Sequence, residues 1–456
     1  MLAPLKGVGP ALRFRPPAKN PWLMPVAPFG SWLYVTFFCG IRRIETRNIE
    51  RLVRQYQSFQ EGQARVIVAF RHVGVEDGPV VYRLMTGIVG REARKLGLRL
   101  RRPARGYFLF GRDVPEWAGH FLGWFLPLLG AISVVPGRYD SQSITMMRRY
   151  LTDMPHPIGL APEGQVTYHN ERVARLEPGT AQLGLWGLED LRKQARNEEV
   201  VIVPVCTSYH YREKDRAGLG RLMAGVERHC GLPPLEGDSN EKLYVRVMRA
   251  TRHLLDTAER HYARFHHVSF PASEEDGPTA GLQERMRRVC EAALSLAERF
   301  FGIAAKGDFV QRVFSIRQAG LAWMFREDIG DPDALPPLDR ALADRVAIEA
   351  WIVHRHLELV DLFEYFRADY LSPDSGIDRF AESIVNLQDL VNRLEGGNIS
   401  GRKNPFRKIA RIVVNEPIPV SPYWQSYREN RRKAVAELTQ AVFESFRAVA
   451  ESGAGG

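Results

Sequence analysis

The chain has 456 residues, 45% hydrophobic and 25% charged, so it is long enough for one large domain with an insertion or for two or three domains. Its four cysteines form no C-x-x-C pair, which argues against a disulfide framework and against a cysteine zinc site. The formal net charge of +10 favours an anionic partner, and nucleic acid, an anionic lipid surface and a phosphorylated substrate all qualify.

Residues 1–60 are predicted to form an N-terminal helical segment suited to a membrane interface. The basic, proline-rich start does not have the shape of a signal peptide. Residues 26–41 carry no charge, are rich in aromatic side chains and are followed by Arg42 and Arg43. A helix of this length falls short of the about 20 residues of a bilayer span. We therefore expect either an interfacial helix or an aromatic face packed on its own domain.

Residues 61–211 alternate between short apolar runs and helical patterns. Strands are predicted at 65–71, 107–110, 131–135, 158–161 and 200–205. Helices are predicted between them at 79–98, 115–128, 141–150 and 178–196. Strands separated by helices of this length predict an α/β fold, in which a mostly parallel sheet is flanked by helices.

From residue 212 to residue 403 the strand signal almost disappears, which predicts an α-helical insertion domain. Helical periodicities occupy 242–265, 282–301, 309–325, 338–370 and 377–394. A strand pattern returns at 408–414, and an amphipathic helix follows at 427–450. Residues 404–451 are therefore expected to complete the α/β core that residues 61–211 begin.

The first predicted strand of this core stops at His72, and a glycine-containing turn leads to a helix that opens at Asp77. Aspartate is a favourable N-cap residue, and a proline in the first turn of a helix costs no hydrogen bond. Strand, turn and helix in this order present polar side chains at the carboxyl edge of an α/β sheet. A histidine there, with an aspartate five residues on, predicts a catalytic pair of a general base and its orienting carboxylate.

The spacing His-x-x-x-x-Asp by itself is a weak signal, because it occurs at 72/77, 210/215 and 356/361. The second occurrence lacks the glycine turn, and the third lies inside a predicted helix, where the two side chains point in different directions. An exposed histidine beside an ordinary helix cap is the alternative interpretation for the first occurrence.

Three further segments fall near the carboxyl ends of predicted strands, on the edge where His72 lies. Residues 130–140 end one strand, residues 162–167 end the next, and residues 203–205 lie in the fifth. Each segment alone is explained by a turn, a helix cap or an edge-strand proline. Together with His72 they follow a recognisable order.

That order resembles the glycerolipid acyltransferase family, typified by 1-acylglycerol-3-phosphate acyltransferases. The family's block N-H-x-S-x-x-D is similar to residues 71–77, which read R-H-V-G-V-E-D. Its block F-P-E-G-T-R-S is similar to residues 161–167, A-P-E-G-Q-V-T, and its apolar-V-P-V block to residues 202–205, I-V-P-V. The resemblance covers about residues 60–210 and, more weakly, 408–450; it does not explain the helical insertion.

The resemblance implies transfer of a fatty acyl group from acyl-coenzyme A or acyl carrier protein to a hydroxyl of a glycerophospholipid precursor such as lysophosphatidate. His72 would be the general base and Asp77 would hold its ring. The implied substrate-binding residues are Glu163, Gly164, Arg138, Thr167 and Pro204. The family's phosphate-binding arginine aligns with Pro136, so Arg138, two residues on, is expected to replace it.

The implied co-substrate is the acyl thioester, with no further cofactor and no metal. The implied location is the cytoplasmic face of a membrane, peripheral or interfacial. Arginine-rich helices here have no accompanying aromatic platform, so nucleic acid is not expected as a partner. Departures from the family pattern at Pro136 and within residues 161–167 motivate an alternative from another class, namely a catalytically weak or inactive family member that binds lipid or a membrane.

Overall fold

The computed structural model describes residues 7–135, 140–271 and 280–452, and the chain divides into two compact units. The α/β unit consists of residues 14–210 and 407–456, and the helical unit consists of residues 1–13 and 211–406. The bounds of the long helical stretch, 211 and 406, lie beside the predicted insertion bounds of 212 and 403. Residues 14–60 belong to the α/β unit and do not form a segment of their own.

The sheet of the α/β unit has eight strands. In chain order they are β1 (Ile41–Arg47), β2 (Ala64–Phe70), β3 (Tyr107–Gly111), β4 (Ala131–Val134), β5 (Ile158–Leu160), β6 (Glu199–His210), β7 (Lys408–Val414) and β8 (Ile418–Pro419). The order across the sheet is β1-β7-β6-β2-β5-β3-β4, and β8 also pairs with β6. Only the β6–β7 and β6–β8 pairs are antiparallel among the pairs described. The predicted α/β class with a mostly parallel sheet is confirmed.

Helices cover both faces of this sheet, because β2 and β6 are apolar and buried on both sides. Val66 and Val68 face the helices Ile49–Glu61, Asp77–Arg83 and Val89–Lys95, with a π-helical turn at Leu84–Ile88. Ile67 and Ala69 face Ser141–Thr152, Gly179–Lys193, Trp424–Glu429 and Arg431–Glu451. The other α-helices of the unit are Leu23–Leu33, Val114–Ala118 and His120–Leu128. The first of these is continued by the π-helical turn Tyr34–Phe38.

The helical unit has its own apolar core. Its α-helices are Arg216–His229, Asn240–His266, Ala280–Phe301, Phe309–Met324, Pro337–His354, His356–Tyr365 and Ile377–Leu394. Among its described residues, the only strand pairing is a two-residue parallel contact of Gly9–Pro10 with Phe325–Arg326.

The structure corrects several predicted elements. The helical expectation for residues 1–60 is wrong at β1, an edge strand whose charged residues face solvent while its backbone pairs with β7. The helix predicted at 338–370 is two helices that meet at Arg355. The helix predicted at 115–128 breaks at Gly119, whose φ of +99° is open to glycine alone without strain. The final helix breaks at Asn430, whose side chain caps the longer of the two helices.

Candidate active site

The candidate site lies where β2 ends beside the longer strand β6. Phe70, the last residue of β2, is in register with Val205, and β6 continues for five more residues to His210. Beyond Val205 the other edge of β6 is paired with β7, which keeps this extension in strand conformation. Residues 71–77 therefore lie over the part of β6 that extends beyond the end of β2, where the side chains of β6 can contact them.

His72 and Asp77 face each other across this turn. His72 Nδ1 lies 3.3 Å from Asp77 Oδ2. The Asp77 side chain is fully buried, whereas the His72 side chain keeps 26% of its surface exposed. Because Nδ1 faces the carboxylate, Nε2 is the ring nitrogen left for a substrate hydroxyl. In this geometry a buried carboxylate fixes the orientation of the imidazole ring and stabilises its protonated form.

The Asp77 carboxylate accepts three further hydrogen bonds. The Gly74 N–H donates to Oδ2 at 2.7 Å, while the Tyr209 and Thr207 hydroxyls donate to Oδ1 at 2.5 and 2.9 Å. Burial, and secondly the negative charge of Asp77, raise the pKa of Tyr209 well above its usual value, so the phenol keeps its proton and donates it. A buried carboxylate needs such donors, and here they also fix the oxygen that faces His72.

An ion pair between the buried Lys408 and the partly buried Glu76 lies beside Tyr209. The Lys408 ammonium contacts the Glu76 carboxylate and lies 4.7 Å from the centre of the Tyr209 ring. The Asn170 side chain pairs with the Tyr209 backbone, donating to its carbonyl at 2.7 Å and accepting from its N–H at 2.8 Å. The phenol that reaches Asp77 is thus held through both its ring and its main chain.

Arg71, next to His72, is buried and ties the turn to the segment after β5. Its guanidinium donates to the carbonyls of Asn170, at 2.5 Å, of His169, at 3.2 Å, and of Arg172. Its Nε lies 3.7 Å from Glu163 Oε1, and both side chains are buried. The guanidinium therefore stabilises the backbone conformation at this edge of the sheet.

Glu163, which is predicted to bind the substrate, lies in the interior behind the His72 backbone. Its side chain is fully buried. One oxygen accepts from the His72 N–H at 2.5 Å, and the other accepts from the Ala174 N–H at 3.2 Å. Burial raises the pKa of Glu163, and the Arg71 guanidinium opposes that shift. Because backbone donors and Arg71 occupy it, this carboxylate positions the His72 backbone.

Thr167 and Gly164 also serve the backbone of the site. Both the N–H and the hydroxyl of Thr167 donate to the His72 carbonyl, at 2.8 and 3.2 Å. Gly164 has a φ of +69°, and its amide donates to the Ala161 carbonyl at 3.2 Å. The hydrogen of this amide is thus used in a turn, and its role in binding substrate stays a prediction.

Pro204 lies inside β6, in register with Ala69 of β2. A proline is tolerated here because β6 changes partners at this point: β8 pairs with residues 201–202 and β7 with residues 205–210. Its side chain is buried in the sheet, and its role in shaping the acyl-donor side stays a prediction. Arg138 lies outside the described residues.

The two other His-x-x-x-x-Asp matches have different partners. The His210 ring contacts the Ser208 hydroxyl at 2.9 Å, and Asp215 accepts from Arg212. The His356 ring accepts from or donates to the Tyr262 hydroxyl at 2.7 Å, and Asp361 accepts from Arg317. The structure brings together only the pair at 72 and 77.

Tyr209 and Thr207 were missed in the sequence because the fifth strand was predicted to stop at residue 205. The signal that could have found them is the alternation of residues 205, 207 and 209, which places them on one face of a longer strand. Lys408 and Glu76 left no local signal, since they are 332 positions apart in the chain.

Within the described ranges, no group of three or more His, Cys, Asp or Glu side chains is arranged to hold a metal ion. Among the same residues, no helix combines the length and the apolar character needed to cross a bilayer. No protein-family model matches the chain, and neither a curated protein nor a solved structure matches it.

Proposed function

We propose that the protein is an O-acyltransferase that moves a fatty acyl group from an acyl thioester to a hydroxyl of a glycerophospholipid precursor such as lysophosphatidate. The observation that carries the proposal is the partly exposed His72 ring, whose Nδ1 faces the buried Asp77 at 3.3 Å. This arrangement suits a general base and needs no serine or cysteine nucleophile.

In the proposed reaction His72 Nε2 removes the proton of the acceptor hydroxyl as its oxygen attacks the thioester carbonyl. Asp77 stabilises the imidazolium that forms. When the tetrahedral intermediate collapses, the C–S bond breaks and the imidazolium returns its proton to the leaving thiolate. The thioester supplies the driving force, and an ester and a free thiol are the products.

A phosphorylated acceptor would need a fixed cation near His72. Arg138 is the residue that the sequence resemblance assigns to this role, and the guanidinium fork suits a phosphate. Arg71 is not a substitute, because its guanidinium is buried among backbone carbonyls.

The proposed location is a membrane surface, which the side chains of residues 22–38 support. Trp22, Phe29, Phe37 and Phe38 are 86%, 63%, 66% and 80% exposed. The helix that carries Phe29 also packs beside the helix that begins at Asp77, where the Arg83 guanidinium donates to the Pro28 carbonyl at 2.7 Å. Exposed aromatic side chains near the site suit insertion into the headgroup region of a bilayer that holds the lipid acceptor.

The test is an acyl-transfer assay on the purified full chain. Acyl-coenzyme A and acyl carrier protein are offered in turn as donors, with glycerol 3-phosphate and lysophosphatidate as acceptors. We expect the wild type to form ester, His72→Ala to form none at any acceptor concentration, and the exposed His120→Ala control to match the wild type. Full transfer by His72→Ala would overturn the assignment.

The second candidate, a lipid-binding protein with little or no catalysis, is favoured by the same exposed aromatic residues. It predicts that the wild type binds vesicles of phosphatidic acid and phosphatidylcholine yet forms no ester with any of these donors. In that case His72→Ala would bind vesicles as the wild type does.

A further inference from the structure

Two hydroxyls on one face of β6 converge on one oxygen of the buried Asp77. Tyr209 and Thr207 both donate to Oδ1, whereas Oδ2 accepts from the Gly74 N–H and faces the His72 ring. The four contacts fix both the position and the plane of the carboxylate. A swing of Asp77 away from His72 would break the three hydrogen bonds that its carboxylate accepts in a fully buried site.

We propose that Tyr209 and Thr207 are positioning residues, which hold Asp77 in the orientation that serves His72. The inference rests on the proposed function of His72 as a general base and extends it to two groups outside the sequence blocks. Neither hydroxyl touches a substrate in this account; each acts through Asp77.

Tyr209 is itself held in ways that suit a positioning role. Asn170 pairs with both of its main-chain polar groups, and the Lys408 ammonium lies 4.7 Å from its ring centre. Thr207 is fixed as well, because its hydroxyl also lies 3.2 Å from the Arg71 carbonyl, one residue before His72. Both hydroxyls are therefore preorganised before any substrate arrives.

Removing the Tyr209 hydroxyl leaves the ring in place and takes one donor from the carboxylate. Hydrogen bonds to charged groups are the strong class, so the expected loss in kcat is roughly 10- to 100-fold, with KM unchanged. The carboxylate then carries more uncompensated charge toward His72, which favours the imidazolium. The acidic limb of the pH–rate profile should accordingly move to higher pH.

Other charged or titratable groups around the pair stay the same in this variant. They are Arg71 and Glu163 on the main-chain side of His72, and Glu76, Lys408 and Cys39 around Tyr209.

The experiment compares Tyr209→Phe and Thr207→Val with matched controls in the full chain. Tyr56→Phe removes an equally buried hydroxyl of the same unit, which donates to the Arg105 carbonyl at 2.8 Å. Thr152→Val removes a buried hydroxyl that donates to the Arg148 carbonyl at 3.1 Å. For each variant we measure kcat, KM, the pH–rate profile and the thermal midpoint.

A second readout does not depend on turnover. Diethyl pyrocarbonate modifies neutral imidazole, so the pH dependence of labelling at His72, followed by peptide mass spectrometry, reports how Asp77 holds the ring. We expect Tyr209→Phe and Thr207→Val to move this dependence to higher pH. Tyr56→Phe and Thr152→Val should leave it at the wild-type position and lower only the thermal midpoint.

The outcomes separate this inference from the proposed function. If the wild type shows no acyl transfer, the acyltransferase proposal fails. The positioning role is still supported in that case if Tyr209→Phe moves the pH dependence of His72 labelling and Tyr56→Phe does not. An active wild type whose kcat and labelling profile survive both Tyr209→Phe and Thr207→Val overturns the positioning role. If Tyr209→Phe does not fold, Thr207→Val decides by the same two readouts.

Discussion

The substitution Arg71→Met tests whether the buried guanidinium holds the site together. In the wild type it donates to three backbone carbonyls and lies 3.7 Å from the Glu163 carboxylate, which in turn accepts from the His72 N–H. Methionine has a similar length and is apolar, so it keeps most of the packing. It leaves Glu163 without its cation and the carbonyls without their donor.

The expected cost follows from these contacts. Breaking a buried ion pair by removing one partner destabilises a protein by about 3–5 kcal/mol, because an uncompensated buried charge remains. The double variant Arg71→Met/Glu163→Gln removes that charge. The free energy of unfolding of this double variant should exceed, by about 2 kcal/mol, the value obtained by adding the losses of the two single variants. Arg65→Met is the control on the same strand, where a partly exposed network should make the loss smaller than that of Arg71→Met.

The loss should depend on pH in a defined direction. Burial already raises the pKa of Glu163 above its usual value, and the loss of Arg71 raises it further. For an acid whose pKa is higher in the folded state, the destabilisation is absent below the unfolded pKa and grows as pH rises through the folded pKa. The deficit of Arg71→Met should therefore be largest at neutral pH and smaller near about pH 5.

Urea unfolding followed by fluorescence gives the free energy of unfolding. Hydrogen exchange of the β2 amides, residues 64–70, assigns the change to the α/β unit. A loss below about 1 kcal/mol at neutral pH, or an equal loss at both pH values, would refute the view that Arg71 neutralises Glu163.

Three further predictions concern other parts of the chain. Burial, with neighbouring imidazoles, lowers the pKa of His356 to about 4, so the helical unit should lose stability as pH falls below about 6.5; His356→Gln should flatten that dependence in thermal melts. A Cβ at Gly74 would stand 2.5 Å from Glu76 Oε2 and 3.2 Å from the Tyr209 ring, so Gly74→Ala should lower kcat several-fold with a small change in thermal midpoint; an unchanged kcat would contradict it. Arg138→Ala should mainly raise the apparent KM for a phosphorylated acceptor, and an unchanged acceptor dependence would favour a neutral acceptor.

The amino-acid sequence by itself determined the class of the fold and the position of the pair at its centre. The strand at 408–414 and the helix at 377–394 have the predicted bounds, because apolar periodicity and the flanking turn residues specify them locally. The turn from β2 to the helix at Asp77 was predictable for the same reason, since a proline in the first helical turn and a buried β-branched run lie within a few residues. The expected N-cap role of Asp77 is wrong, because Glu76 holds the N-cap position and the Asp77 carboxylate faces His72.

Only the tertiary structure decided which polar groups contact the His72 and Asp77 pair. β6 reaches His210 because β7, distant in the chain, pairs with residues 205–210, and this extension brings Tyr209 and Thr207 to Asp77. Glu163 has the residue type of a substrate ligand but is turned inward, where backbone donors and Arg71 compensate its charge. Long-range strand pairing and the desolvation of charged groups depend on partners far away in the chain, and local sequence patterns do not encode such partners.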